Sequence, residues 1–251
     1  MKAIKFVQTW NPVAGRKQEY AAFIKNELYP LMKALGIGVA SGWYTLVGGG
    51  PPVQLESLAE SMDQLENALD DKRFHEMLGR FMSLITHYGS SVFSQTRWMT
   101  MYHWRVPWMQ EASYAKFWDF LPGQHDAKYV QAWDVLPGQE DEYQRFLQEA
   151  HLPQMEAIGL EVSAGWHLMV GSGRQVVLEA IAPDLASIAR ALHDERYLRL
   201  TVRMEELVNH YESRVMIRHR SFLDMLHHIH GRAIRAVTPD AMHSMVGPLD
   251  E

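Results

Sequence analysis

The hexapeptide Lys5-Phe6-Val7-Gln8-Thr9-Trp10 returns as Lys128-Tyr129-Val130-Gln131-Ala132-Trp133, an offset of 123 residues. At that offset residues 5–93 align with 128–216 without a gap. Gly42-Trp43 meets Gly165-Trp166, Gly48 and Gly50 meet Gly171 and Gly173, and Glu56 meets Glu179. Further on, Asp71 and Arg73 meet Asp194 and Arg196, and His87-Tyr88 meets His210-Tyr211. An ungapped match of this length marks a tandem repeat, and a repeat decides architecture before any local reading does. The expected division is a first repeat at 1–98, a connector at 99–127, a second repeat at 128–217, and a C-terminal docking helix and tail at 218–251.

Each repeat reads as the same order of elements. Residues 3–10 are rich in strand formers and run into turn residues, Asn11-Pro12 or Pro137-Gly138. Tyr20, Phe23, Ile24, Leu28, Leu31 and Leu35 then recur at helical spacing, closed by Gly36. Residues 38–47 and 53–59 read as a hairpin, 61–87 as helix broken near Asp70-Asp71, and 90–98 as a last strand. The sum is β-α-β-β-α-β, a ferredoxin-like unit with helices on one sheet face. The bare face must be buried. Two linked copies achieve this by facing each other. The expected fold is therefore α+β: two tandem ferredoxin-like repeats packed sheet to sheet as an intramolecular dimeric α+β barrel.

Composition narrows function. The 251 residues carry no cysteine, which excludes a thiolate nucleophile, a disulfide scaffold and a cysteine-ligated metal. A net charge of −6 argues against nucleic acid as partner, because phosphate neutralisation requires a basic face. The polar N-terminal segment does not read as a signal peptide, and no apolar run is long enough to span a bilayer. A cytoplasmic protein without a membrane partner is the expectation.

The Pro-Gly turn, Tyr143-x-x-Phe146, His151-x-Pro153, Gly159, Asp194-x-Arg196-Tyr197 and Glu212-Ser213-Arg214 together resemble the dimeric α+β barrel superfamily, and within it NIPSNAP-like proteins. The resemblance covers both repeats. It implies one of several activities: cofactor-free monooxygenase, isomerase, cyclase, haem-handling enzyme, or no chemistry at all. In that superfamily a histidine before proline on the first helix recurs in enzymes that move protons, and His151 occupies the position. Haem-degrading members pair a first-strand asparagine with a third-strand tryptophan. Here Gln8 and Gln131 stand on the first strands, and Val53-Gln-Leu-Glu56 and Val176-Val-Leu-Glu179 on the third. His75 lies in the second helix, where such members carry a histidine, but Leu198 is its counterpart. Haem held by His87 or His210 is a weaker reading.

Differences between the copies locate the candidate site. Leu28 and Leu31 of the first helix become His151 and Gln154, and Tyr44 becomes His167. Polar groups on a buried stripe need partners. The second repeat is thus expected to hold a polar pocket between helix and sheet. His151, His167 and Glu179 are the acid/base candidates, and Gln154, Gln131, Trp133 and Trp166 line it for substrate. Glu56 and Glu179 need a partner or a held proton if enclosed. No metal and no cofactor are expected.

From Trp98 through the connector to Phe120 the sequence is dense in aromatics, and the connector should cover a barrel end or meet a second subunit. In the tail, Phe222, Leu226, Ile229 and Ala233 form an apolar stripe beside His227 and His230. That pattern reads as a docking helix rather than a metal site. The leading expectation is a small-molecule binder or cofactor-free enzyme for an apolar carbonyl or aromatic metabolite. The alternative is an assembly protein without chemistry, joining copies through the connector or tail.

Overall fold

A computed structural model describes residues 4–95 and 127–218. The aromatic connector and the docking tail lie outside the described residues, apart from their first or last positions. In the first repeat, strand β1 (Ile4–Pro12) leads to helices α1 (Lys17–Phe23) and α2 (Tyr29–Ala34), joined by a π-helical turn, Ile24–Leu28. Strands β2 (Gly38–Val47) and β3 (Val53–Ala59), helices α3 (Met62–Asp70) and α4 (Lys72–Phe81), and strand β4 (Ile85–Gln95) follow. The second repeat repeats the order: β5 (Ala127–Val135), α5 (Glu140–Phe146), a π turn at Leu147–His151, α6 (Leu152–Ala157), β6 (Glu161–Gly171), β7 (Val176–Ala182), α7 (Leu185–Leu192), α8 (Glu195–Glu205) and β8 (Val208–Arg218).

All eight strands close into one barrel in the order β1-β3-β2-β8-β5-β7-β6-β4. Every pairing is antiparallel. The halves meet edge to edge at β2–β8 and β4–β6, so neither sheet keeps an open edge. Closure demands glycine at two equivalent points. Gly48 and Gly171 hold φ near +104° and +108°, and a Cβ on either would sit 2.5 Å from a backbone oxygen, of Ser213 or of Ser90.

Strand parity sorts side chains between two environments. Phe6, Gln8 and Trp10 point to the helices, as do Tyr129, Gln131 and Trp133. Lys5, Val7, Lys128 and Val130 point into the barrel. Each repeat therefore has its own helix-covered core. In each, the first-strand tryptophan donates its indole N–H to a helix tyrosine, Trp10 to Tyr20 at 2.7 Å and Trp133 to Tyr143 at 2.9 Å.

The paired helices of the second half of each repeat start where side chains accept backbone N–H groups. Ser61 and Asp184 cap α3 and α7, and Asp71 and Asp194 cap α4 and α8. Asp71, extended at ψ 130°, is the break expected near Asp70-Asp71. The expected helix over 61–87 is corrected: α4 ends at Phe81 and β4 already begins at Ile85, where Pro12 pairs with it. The π turns bring a second correction. Their wider turn advances the buried face by one residue, so Met32 is the buried residue after Leu28 while Leu31 is only half-buried.

Candidate functional site

That same advance governs the second repeat. His151, last residue of its π turn, is buried, and Met155 takes the next core position. Gln154, expected on the buried stripe, is half-exposed instead. His151 lies among aromatic rings, with centroids 6.4 Å from Trp133 and 5.8 Å from the half-buried Phe146. Its Nε2 is 3.2 Å from Gln131 Oε1, and the Gln131 amide Nε2 donates to the Tyr211 hydroxyl at 2.7 Å. Because Gln131 presents its oxygen, His151 Nε2 carries the proton and Nδ1 is a bare acceptor. That Nδ1 is buried and has no hydrogen-bond partner.

The Gln131 orientation traces to three phenols. Tyr129 and Tyr197 share a short hydrogen bond, and Tyr211 lies 3.1 Å from Tyr197 and 3.4 Å from Tyr129, oxygen to oxygen. Burial raises the Tyr211 and Tyr129 hydroxyls above the ordinary tyrosine range, so both stay protonated. Tyr211 also stacks on Trp133, centroids 6.2 Å apart. In the first repeat the matching positions are Phe6, Phe74, Tyr88 and Leu28. There Gln8 donates to Tyr88 at 2.9 Å, but its buried Oε1 has no partner. Three substitutions, Phe6 to Tyr129, Phe74 to Tyr197 and Leu28 to His151, thus extend the single Gln–Tyr contact of the first repeat into a connected polar layer.

Burial lowers the His151 pKa to about 4, since a charged imidazole there has no water and no counter-ion. The imidazole is neutral at pH 7. As an acid/base candidate His151 is therefore a weak base that takes up a proton only in acid. Three other expected members do not join His151. His167 is exposed on β6. Glu179 and Trp166 lie on the opposite side of the sheet, inside the barrel.

The barrel interior holds a second constellation. Lys5 bridges Glu56 and Glu179 at 2.9 and 2.6 Å, and Lys128 bridges the same carboxylates at 2.8 and 3.1 Å. All four side chains are at most 5% exposed. Indole N–H groups complete it, Trp43 to Glu56 at 3.1 Å and Trp166 to Glu179 at 2.9 Å. Each ammonium also lies over a ring of the other repeat, Lys5 over Trp166 and Lys128 over Trp43. Burial would raise the Glu56 carboxyl, but Lys128 and Lys5 outweigh it and hold it well below the usual range. Burial would likewise lower Lys5, and the Glu179 and Glu56 carboxylates reverse this. Ser41 and Gln54 add donors to Glu56, where the second repeat has Ala164 and Val177. With every charge paired, the quartet is suited to holding the halves together rather than to reacting.

Sequence reasoning missed both lysines and all three tyrosines. The lysines alternate with Phe6 and Gln8 or Tyr129 and Gln131 along the strand, so parity alone puts a cation on the barrel side, opposite Glu56 and Glu179. Comparison of the copies at Phe6/Tyr129 and Phe74/Tyr197 would have exposed the phenols.

Among the described residues no group of three or more histidine, aspartate or glutamate side chains could hold a metal. His151 Nε2 is engaged by Gln131, and His75, His87 and His210 are exposed. No described helix is long and apolar enough to cross a membrane.

A closed barrel of two ferredoxin-like halves, helices outside, defines the dimeric α+β barrel class. Solved structures agree. An anthrone oxidase-like protein matches 87% of this chain and 92% of its own at 13% identity and a TM-score of 0.56. A chlorite dismutase variant from Candidatus Nitrospira defluvii matches 94% of this chain and 96% of its own, at 10% identity and TM-score 0.53. A putative monooxygenase from Lactobacillus acidophilus matches 87% and 94%, at 7% identity and TM-score 0.51. NIPSNAP family proteins from Agrobacterium tumefaciens match 39% of this chain and 92% and 95% of their own, at 14% and 19% identity and TM-scores of 0.32 and 0.31. At these identities the likeness concerns fold. No protein-family model matches the chain, and no curated protein matches it in sequence.

Proposed function

We propose that the chain binds a small apolar carbonyl or aromatic metabolite in the helix–sheet layer of the second repeat, without metal or nucleotide. The observation that carries this reading is His151 Nδ1: a buried acceptor, its tautomer set by Gln131, with nothing bonded to it. Leaving such an atom unpaired costs about 1–3 kcal/mol, which a ligand O–H recovers. The rings of Trp133 and Phe146, packed against His151, would be the apolar surfaces such a ligand meets. A neutral imidazole favours a neutral hydroxyl or enol over a carboxylate. If the ligand is transformed, His151 takes its proton as a weak base, so the rate should decline near pH 4 rather than near neutrality. The neighbours' printed names, a monooxygenase and an anthrone oxidase-like protein, fit a small-molecule role on this fold.

The test is equilibrium binding of 2-naphthol followed by tryptophan fluorescence. Saturable quenching in the wild type and its loss in a folded His151→Leu variant support the reading. Equal binding in both, or none in either, rejects it.

One observation favours an assembly role instead. Leu198 and Val202, 55% and 63% exposed, replace His75 and Gly79 on the outer helix. Sedimentation of Leu198→Glu/Val202→Glu against wild type decides it: only a drop in mass sustains that alternative.

A further inference from the structure

The strand that delivers Tyr211 is bent by a residue in an unusual backbone state. On β5 and β8, Ala132 pairs with Glu212 but Asp134 pairs with Asn209, so His210 and Tyr211 together face the single residue Trp133. This is a bulge, and its first residue, His210, holds φ +53°. That position normally belongs to glycine, because a Cβ is disfavoured there. The first repeat has the same bulge at His87, φ +52°.

What holds the bulge differs between the halves. His87 Nδ1 faces Asn11 Nδ2 at 3.4 Å, a long and neutral contact. His210 Nδ1 is 3.0 Å from the carboxylate of Asp134. Asp134 is itself fixed: it accepts the Gln175 backbone N–H at 2.8 Å and Arg174 Nη1 at 3.3 Å, and Arg174 Nε donates to Glu212 at 2.9 Å. The first-repeat counterparts of Asp134, Arg174 and Glu212 are Asn11, Pro51 and Gly89. The charged anchor therefore occurs only in the half that carries His151.

Each member of this anchor sits next in sequence to a ring of the site: Asp134 follows Trp133, and His210 precedes Tyr211. We propose that Asp134 and His210 form a clamp that positions Tyr211 against Trp133 and thereby sets the orientation of Gln131 and the tautomer of His151. Both are positioning residues, since neither touches His151. The proposal rests on the ligand site described above for its purpose, though not for its geometry. A Tyr211 ring that slides away from Trp133 loses the Gln131 contact. Gln131 is then free to turn, offering its amide nitrogen to His151 and moving the imidazole proton to Nδ1. The spare acceptor would be gone without any change at His151 itself.

Nitrogen-15 NMR of histidine-labelled full-length protein reads this directly, because the two neutral tautomers have distinct ring-nitrogen signatures. Wild type should show the Nε2–H form for His151, assigned by its absence in His151→Leu. His210→Gly, which relieves the backbone while removing the contact, should shift the signal toward the other tautomer. Asp134→Asn should do so more weakly. His210→Asn, which tolerates positive φ and still offers Asp134 an N–H donor, should restore the wild-type pattern. His87→Gly should leave it unchanged. An identical His151 signal in wild type and His210→Gly overturns the clamp. A shift in His210→Asn as large as in His210→Gly overturns it too. Should wild type bind no 2-naphthol, the ligand reading falls, while the tautomer series still decides the clamp.

Discussion

Acidification offers the most direct measure of how dry the His151 environment is. The folded pKa is about 4, against 6.5 for the free imidazole. Between these values the unfolded chain binds a proton that the folded chain refuses, so stability must fall as pH falls through that window. The gap corresponds to about 3 kcal/mol, absent above pH 6.5 and complete below pH 4. Other groups titrate in the same range, so the measurement is a difference. Urea unfolding of wild type and His151→Leu at pH 7, 6, 5 and 4 isolates the imidazole. At pH 7 the variant leaves Gln131 Oε1 unpaired but also removes the unpaired Nδ1, so the difference there serves as the reference. On descending to pH 4 wild type should lose about 3 kcal/mol relative to the variant. The ion quartet does not blur the comparison, since Glu56 is held well below this range and both proteins share it. Parallel curves would show that His151 titrates as a solvated histidine, and the account of its burial, together with the bare Nδ1, would fail.

Other perturbations probe the remaining features. Lys128→Met leaves Lys5 alone to balance two buried carboxylates and should cost about 3–5 kcal/mol in urea unfolding, far more than a surface lysine; a cost below 1 kcal/mol would show the quartet to be hydrated. Gln131→Leu should destabilise more than Gln8→Leu, by about 1–3 kcal/mol, because it orphans the His151 N–H whereas Gln8 has only one bond to lose. Equal costs would count against the different networks of the two repeats. Ser61→Ala should remove the α3 cap and about 1 kcal/mol, and thermal melting should show the loss.

The architecture was legible because repetition and strand alternation are properties of spacing alone. Lys5 and Lys128 stood in the very hexapeptide that revealed the repeat, yet their partners are 51 and 174 residues away in sequence, as for Lys128 with Glu179 and Lys5 with Glu179. Pairing of β5 with β7 brings Lys128 to Glu179, but only the closed barrel adds Lys5 from the other repeat. His151 was legible as a polar residue on an apolar face. Gln154 was misplaced because the π turn is a change in backbone hydrogen bonding with no fixed sequence signature. His167 was misread because strand position says which face a side chain takes, not whether a helix covers it there. The end of α4 was overrun since Phe81, Leu84 and Ile85 continue an apolar run, and it is pairing of Ile85 with Pro12 that turns it into strand.

The salt-bridge quartet bears on how the chain comes apart. Each half owns a separate helix-covered core, which by itself suggests two independent melting events. Yet opening the barrel would expose each lysine's carboxylate from the opposite repeat and release both shared strand edges at once. Denaturation should therefore proceed as a single event, with calorimetric and van't Hoff enthalpies equal, and the two halves should gain and lose structure together.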